Sequence, residues 1–157
     1  MQIYLRIDRT DLAAGALQQM VTADEDAPLT QLASAQVSLA NAQSKEAIYS
    51  LTTLSEQYGP SIALLNSTAA ARIISGDHSG AMSNLSDALS LSGELAAPSP
   101  SLPDTYINML SCLASTDAVK AQALLGKFST EYPTHPYVKQ MAMLDGAFDR
   151  VGAKFAV

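Results

Sequence analysis

The amino-acid sequence predicts an all-α fold, an α-solenoid of stacked helix pairs that ends in a C-terminal capping helix. Three observations lead to this prediction. Small and large apolar residues recur with a period of 34 residues, 48% of the 157 residues are hydrophobic while 15% are charged, and glycine, proline and aspartate separate the apolar segments. Helical segments repeated at a fixed period are typical of proteins in which each helix pair packs on the next.

The period is clearest in the second helix of each predicted pair. Ala13, Ala47 and Ala81 are spaced 34 residues apart, and a large apolar residue follows each of them after four positions. Those large residues are Leu17, Leu51 and Leu85. Residues four apart share one face of a helix, and the period with this order of small and large residues matches the tetratricopeptide repeat. We expect a single tetratricopeptide-like domain over residues 1–157, in a fragment of a longer chain that lacks N-terminal repeats.

Each predicted first helix of a pair begins at a start signal. The three segments run from Leu29, Pro60 and Leu102. Proline fits the first helical turn, and Ser, Thr or Asp side chains cap the free N–H groups there. The start signals are Pro28 with Thr30, Pro60 with Ser61, and Pro103 with Asp104.

The end of the chain departs from the period. Ala121, with Leu125 and Phe128 behind it, follows Ala81 by 40 residues. We place the six extra residues in a loop over the Pro- and Ser-rich segment 93–103, where the prolines exclude a continuous helix. Apolar residues spaced three and four apart then predict an amphipathic capping helix. They are Tyr137, Met141, Leu144, Phe148 and Val151.

Asp77, His78 and Ser79 stand side by side and raise the question of a hydrolase triad. A triad needs histidine between the nucleophile and the carboxylate, whereas consecutive side chains point in different directions. We interpret the segment as a turn between two helices, in which Gly76 takes the left-handed conformation and Asp77 or Ser79 caps the next helix. His78 and His135 are expected to be solvated turn residues.

No pattern in the sequence indicates an enzyme. One cysteine and two histidines cannot form a metal quartet, and the HExxH, CxxC and GxxxxGK motifs are absent. The acidic segment Asp24–Asp26 lacks the alternating oxygen ligands of a calcium loop, so we expect an exposed turn that caps the next helix. Cys112 is expected to be a small buried residue. We predict that the protein is not an enzyme and that it binds no metal, cofactor or small-molecule substrate.

The net charge of −6 argues against nucleic acid and anionic lipid as partners, because both reward clustered Lys and Arg. No apolar run approaches the length of a membrane span, so we expect no direct membrane insertion. A lone cysteine without a signal-peptide pattern indicates a cytosolic protein.

The surface left for function is the concave face of the solenoid. First helices line that face, where extended or helical partner segments bind. Nine mostly apolar residues are expected there by the repeat register: Leu32, Gln36, Leu39, Asn66, Ala70, Ile73, Tyr106, Leu110 and Leu113. An apolar groove indicates a protein partner, although these residues could instead bury one another. Tetratricopeptide domains that clamp a chaperone's C-terminal carboxylate present Lys, Arg and Asn on this face, and here Lys and Arg are missing.

Three stretches resemble one known family. They are "YLRIDRTDLA", "DEDAPLTQLASAQVSLA" and "FDR" near the C-terminus, and together they resemble the C-terminal half of the epsilon subunit of coatomer, the COPI vesicle coat. The resemblance covers essentially the whole chain and is most specific over Asp24–Ala40. "EYPTHPYVK" resembles the turn before the family's final helix, whereas residues 96–103 depart from the animal pattern.

The resemblance implies a non-enzymatic coat component. Family members bind the C-terminal domain of the alpha subunit and stabilise the coat layer that includes beta-prime, in transport from Golgi to endoplasmic reticulum and within the Golgi. It also implies a cytoplasmic protein that is peripheral on Golgi membranes and coated vesicles through the complex. A generic tetratricopeptide adaptor that binds a peptide or helix of another protein is the alternative.

Overall fold

The computed structural model describes residues 1–97 and 99–155. Within these residues the chain forms nine helices and no strand, so the all-α helical-repeat prediction is confirmed. The helices are α1 Gln2–Arg6, α2 Thr10–Ala23, α3 Pro28–Ala40, α4 Ser44–Tyr58, α5 Ile62–Ile74, α6 His78–Glu94, α7 Leu102–Thr116, α8 Ala118–Glu131 and α9 Pro136–Gly152.

The chain divides into two compact units, residues 1–112 and 113–157, and the division falls within α7. In the first unit, sequential helices pack as neighbours from α1 to α6. The expectation that residues 1–157 form a single repeat domain is not decided by this division and stays a prediction.

The repeated alanines explain why the helices of the first unit approach closely. Ala13, Ala47 and Ala81 are all fully buried, as are Leu51 and Leu85 one helical turn later. A methyl side chain lets two helix backbones approach, while the leucine behind it fills the space between them and removes apolar surface from water. The 34-residue period is therefore a packing period.

Buried residues of α5, α6 and α7 form a hydrophobic core cluster in the first unit. Ala69, Ala81, Leu85 and Cys112 are buried together, and Ile73, Met82 and Met109 pack against them partly buried. Cys112 is 1% exposed, which confirms the expectation of a small buried residue. Burial raises the pKa of its thiol, because the charged thiolate is disfavoured away from water.

The turn between α5 and α6 is built by the residues that resembled a triad. Gly76 has φ +81°, the left-handed conformation that glycine adopts at low cost. Asp77 is the cap, since its Oδ1 accepts a hydrogen bond from the Gly80 N–H at 2.9 Å. Its Oδ2 pairs with Arg72 Nη1 at 3.0 Å. His78 differs from the expectation, because it is half-buried and begins α6 instead of lying in the turn.

The predicted loop is shorter than expected. Gly93 and Glu94 still belong to α6, while Leu102 and Pro103 form the first turn of α7. Proline is compatible with a first turn because its missing N–H would have no helical partner there. The connection is thus residues 95–101, of which Pro98 lies outside the described residues.

The second unit is organised around Phe128 on α8. This side chain is fully buried, and its ring lies 5.2 Å from Tyr132, 5.4 Å from His135 and 6.2 Å from Tyr137 between centroids. His135 is half-buried and caps α9, since its Nδ1 accepts a hydrogen bond from the Tyr137 N–H. The expectation of a solvated turn residue was therefore wrong for His135, because the ring packs on Phe128.

The capping helix α9 buries only the first part of its apolar stripe. Tyr137 and Met141 are half-buried, whereas Leu144, Phe148 and Val151 are exposed. The spacing of the stripe was predicted from sequence, but three of its five residues face solvent.

Candidate protein-binding groove

An open groove of about 320 Å³ lies on α3, α5 and α7 of the first unit. Helix α5 contributes Ala63, Asn66, Ser67 and Ala70, and α3 contributes Leu39. Asn66, Ser67 and Ala70 follow Ala63 by three, four and seven positions, so the four residues share one face of the helix.

Helix α7 forms the other wall of the groove. Asp104, Ile107 and Asn108 line it, together with Ser101 just before the helix. These helical positions again follow the three-and-four spacing of a single face. Asp104 stands in the first turn of α7, where the positive end of the helix dipole favours a carboxylate.

Two hydrogen bonds from side-chain amides join α5 to α7. Asn66 Nδ2 donates to the Ser101 carbonyl oxygen at 2.8 Å, and Asn108 Nδ2 donates to the Asn66 carbonyl oxygen at 3.3 Å. Asn66 is only 6% exposed, so the first bond replaces water that the amide gave up on burial. These bonds fix the position of the groove walls.

The structure brings three of the nine predicted concave residues together in this groove: Leu39, Asn66 and Ala70. Leu32 and Gln36 line a second, smaller cavity of about 220 Å³, which is also lined by Gln2 of α1 and by Met20. Both are half-buried. The prediction thus combined residues of two separate cavities.

The remaining predicted residues are placed differently. Tyr106 and Leu110 are buried at 6% and 5% exposure, and Ile73 packs against the core cluster. Leu113 is half-buried and belongs to the second unit. The role of these four residues in partner binding stays a prediction. Packing within the chain already covers most of the Tyr106 and Leu110 side chains.

Sequence reasoning missed the polar side of α7. It followed the apolar residues of that helix, and an apolar face is the one most strongly driven into the interior. Asp104, Ile107 and Asn108 lie on the adjacent face that remains in the groove. Their three-and-four spacing was visible in the sequence, but only the hydrogen bonds that join Asn108 and Ser101 to Asn66 show that this face of α7 packs against α5.

The acidic turn between α2 and α3 is exposed, as predicted. Asp24 Oδ1 accepts hydrogen bonds from the Asp26 and Ala27 N–H groups, both at 3.1 Å. The carboxylate therefore closes its own turn. Helix α3 begins at Pro28 without a side-chain cap, so the expectation that this turn caps the next helix was wrong.

Residues 1–97 and 99–155 hold no group of three or more His, Cys, Asp or Glu side chains placed to bind a metal ion. None of the helices within these residues combines the length and the apolarity that a membrane crossing requires.

Comparison with known proteins identifies the family. The family model described as "Coatomer epsilon subunit" matches residues 1–156, almost the entire chain. The chain belongs to the coatomer epsilon subunit family. The resemblance of the sequence to this family, over essentially the whole chain, is therefore confirmed.

Curated relatives support the same coatomer epsilon assignment. The chain is 29% identical to coatomer subunit epsilon of Caenorhabditis elegans, over 96% of this chain and 51% of that protein. It is 31% identical to coatomer subunit epsilon-1 of Arabidopsis thaliana, over 99% of this chain and 51% of the relative. It is 32% identical to coatomer subunit epsilon-2 of Oryza sativa subsp. indica, over 95% of this chain and 48% of that protein. The chain spans about half the length of these relatives.

Proposed function

We propose that the chain is a non-enzymatic structural part of the COPI vesicle coat that binds and stabilises the C-terminal domain of the alpha subunit. The observation that carries this proposal is the family match over residues 1–156. In this role the protein acts in transport from the Golgi to the endoplasmic reticulum and within the Golgi. It stays in the cytoplasm and reaches Golgi membranes and coated vesicles through the complex.

The groove on α3, α5 and α7 supports a protein as the partner. Its walls combine apolar side chains with main-chain and side-chain hydrogen-bonding groups, the mixture that protein interfaces use. Leu39 and Ala70 are half-buried, so part of each side chain remains for a partner to cover. Leu32, Gln36 and Ile73 are half-buried too, and with Asn66, Tyr106 and Leu110 they complete the contact set that we propose on the first unit. Leu113, in the second unit, is half-buried as well and is proposed as a contact by itself.

Co-expression with the C-terminal domain of the same organism's alpha subunit tests this function. Size-exclusion chromatography with mass determination should give a one-to-one complex that survives dilution. Two separate peaks, each with the mass of one protein, would overturn the proposed partner. A complex formed equally well with an unrelated peptide or helix would instead favour a generic tetratricopeptide adaptor.

A further inference from the structure

We propose that the groove on α3, α5 and α7 receives a cationic side chain, lysine or arginine, from the bound protein. The inference deepens the proposed function and rests on it for the identity of that protein. It is carried by the hydrogen-bonding state of Asn66 and Asn108 and by the charge of Asp104.

The two amides of the groove are oriented by the bonds they already make. Asn66 Nδ2 is used by the Ser101 carbonyl and Asn108 Nδ2 by the Asn66 carbonyl. Turning either amide over would set one carbonyl oxygen against another, so the bonds fix which atom is which. The side-chain oxygen of Asn66 is consequently an acceptor that these two bonds do not use.

The oxygen of Asn66 lacks a donor. Asn66 lines the groove at 6% exposure, and its Oδ1 is buried with no hydrogen-bond partner. A buried acceptor without a donor is costly, and most such groups in folded proteins find one. The group that satisfies Oδ1 is therefore expected to come from a bound molecule.

Charge indicates what kind of donor this is. Asp104 is exposed at the groove and forms no ion pair within residues 1–97 and 99–155, and the lining contains no Lys, Arg or His. A cationic donor would gain from both the carboxylate and the amide oxygen, since charge-assisted hydrogen bonds are the stronger ones.

The apolar walls suit the rest of such a side chain. Leu39, Ala63, Ala70 and Ile107 line the groove beside the polar atoms. Lysine and arginine carry a methylene stem that packs on apolar surface while the charged end reaches acceptors. The polarity is opposite to that of a groove that clamps a carboxylate, because here the protein supplies the negative charge.

Affinity for the C-terminal domain of the alpha subunit, measured by titration calorimetry, tests the role of Asp104. Asp104→Asn keeps the size of the side chain but removes its charge, and we expect an affinity loss of about tenfold or more. Glu46→Gln is the matched control, because Glu46 is also exposed in the first turn of a helix, α4, and does not line the groove. Equal affinities for the two variants would overturn the proposal while leaving the proposed function intact.

A peptide titration tests the pocket without the alpha subunit. The ¹⁵N-labelled chain is titrated with acetyl-Gly-Gly-Lys-Gly-Gly-amide and, separately, with the same peptide carrying norleucine in place of lysine. The side-chain NH₂ signals of Asn66 and Asn108 should shift with the lysine peptide only, and less in Asp104→Asn. Identical responses to the two peptides would refute the cation site, whereas failure of the alpha domain to bind in the first experiment would refute the function alone.

Discussion

At the scale of single residues, Gly80 shows how closely the α5–α6 turn is packed. A Cβ atom at this position would overlap Arg72 Nη1 and Asp77 Oδ2, which form the ion pair across the turn. Alanine normally improves a helix by about 0.5–1 kcal/mol over glycine. Here it must displace the Asp77 side chain, and losing such a cap costs about 1 kcal/mol.

Because these two effects nearly cancel, we expect Gly80→Ala to bring little or no gain in stability, while Gly15→Ala stabilises the chain. Gly15 lies inside α2, and a Cβ atom added there would meet nothing within 4 Å, so only the helix preference acts. Urea denaturation of both variants measures the difference. A Gly80→Ala variant as stable as Gly15→Ala would show that the Arg72–Asp77 pair can move without cost.

Asp77 itself decides which of two candidate residues caps α6. Asp77→Ala removes the hydrogen bond to the Gly80 N–H and should lower the free energy of unfolding by about 0.5–2 kcal/mol. Ser79→Ala should change it by less than about 0.5 kcal/mol, because Ser79 is exposed. Thermal or urea unfolding of the two variants compares them directly, and the reverse order would contradict the cap assignment.

At the scale of helices, the start of α8 links stability to pH. Asp117 Oδ1 accepts a hydrogen bond from the Lys120 N–H at 3.0 Å, and Lys120 Nζ lies 3.1 Å from Oδ2. The main-chain bond first, and then the Lys120 side chain, hold the pKa of Asp117 below its usual value. Because that pKa is lowered in the folded chain, the contribution is complete above the usual aspartate pKa and is lost as pH falls through the folded one.

Asp117→Asn should therefore weaken the acid dependence of stability. Asparagine is also a favourable cap but does not titrate in this range. Denaturation at about pH 6 and about pH 2.5 should show a smaller drop in the free energy of unfolding for the variant than for the original chain. An unchanged drop would mean that other carboxylates account for the whole acid limb.

Helices α3, α5, α7 and α9 show what could be predicted from the sequence and what could not. Helix starts near Pro28, Pro60 and Leu102 were predicted to within two residues, because periodicity and capping are local properties. The exposure of Leu144 and Phe148 was not predictable, since spacing shows which residues share a face but not what covers it. The groove residues of α7 were missed for the same reason: Asn108, like Ser101 just before the helix, bonds to Asn66, which is distant in sequence.

Two phenylalanines illustrate the difference between lying on an apolar face and being buried. Phe128 is fully buried and Phe148 is 75% exposed, although both stand on predicted apolar faces. Phe128→Ala should cost about 3 kcal/mol or more and loosen the second unit, because it leaves a cavity inside a ring cluster. Phe148→Ala should stay within about 0.5 kcal/mol. Near-ultraviolet circular dichroism and urea unfolding of both variants test this contrast, and a comparable loss in Phe148→Ala would place that ring in a packed interface.

At the scale of the whole molecule, family membership and the groove make separate claims about binding. Membership follows from the match over residues 1–156, whereas the proposed use of this groove rests on its geometry alone. A substitution that fills the groove without changing charge separates the two. Ala63 is suited to this purpose, because it is exposed and lines the groove on α5.

Ala63→Trp should lower affinity for the C-terminal domain of the alpha subunit by about tenfold or more, since the indole would occupy space that a partner side chain needs. Ala40→Trp is the control, because Ala40 is exposed at the end of α3 and does not line the groove. Both variants should unfold at nearly the same urea concentration as the original chain, so that a difference in calorimetric affinity reports the groove. Equal affinities would place the partner on another surface of a coatomer epsilon protein and would exclude this groove as the contact.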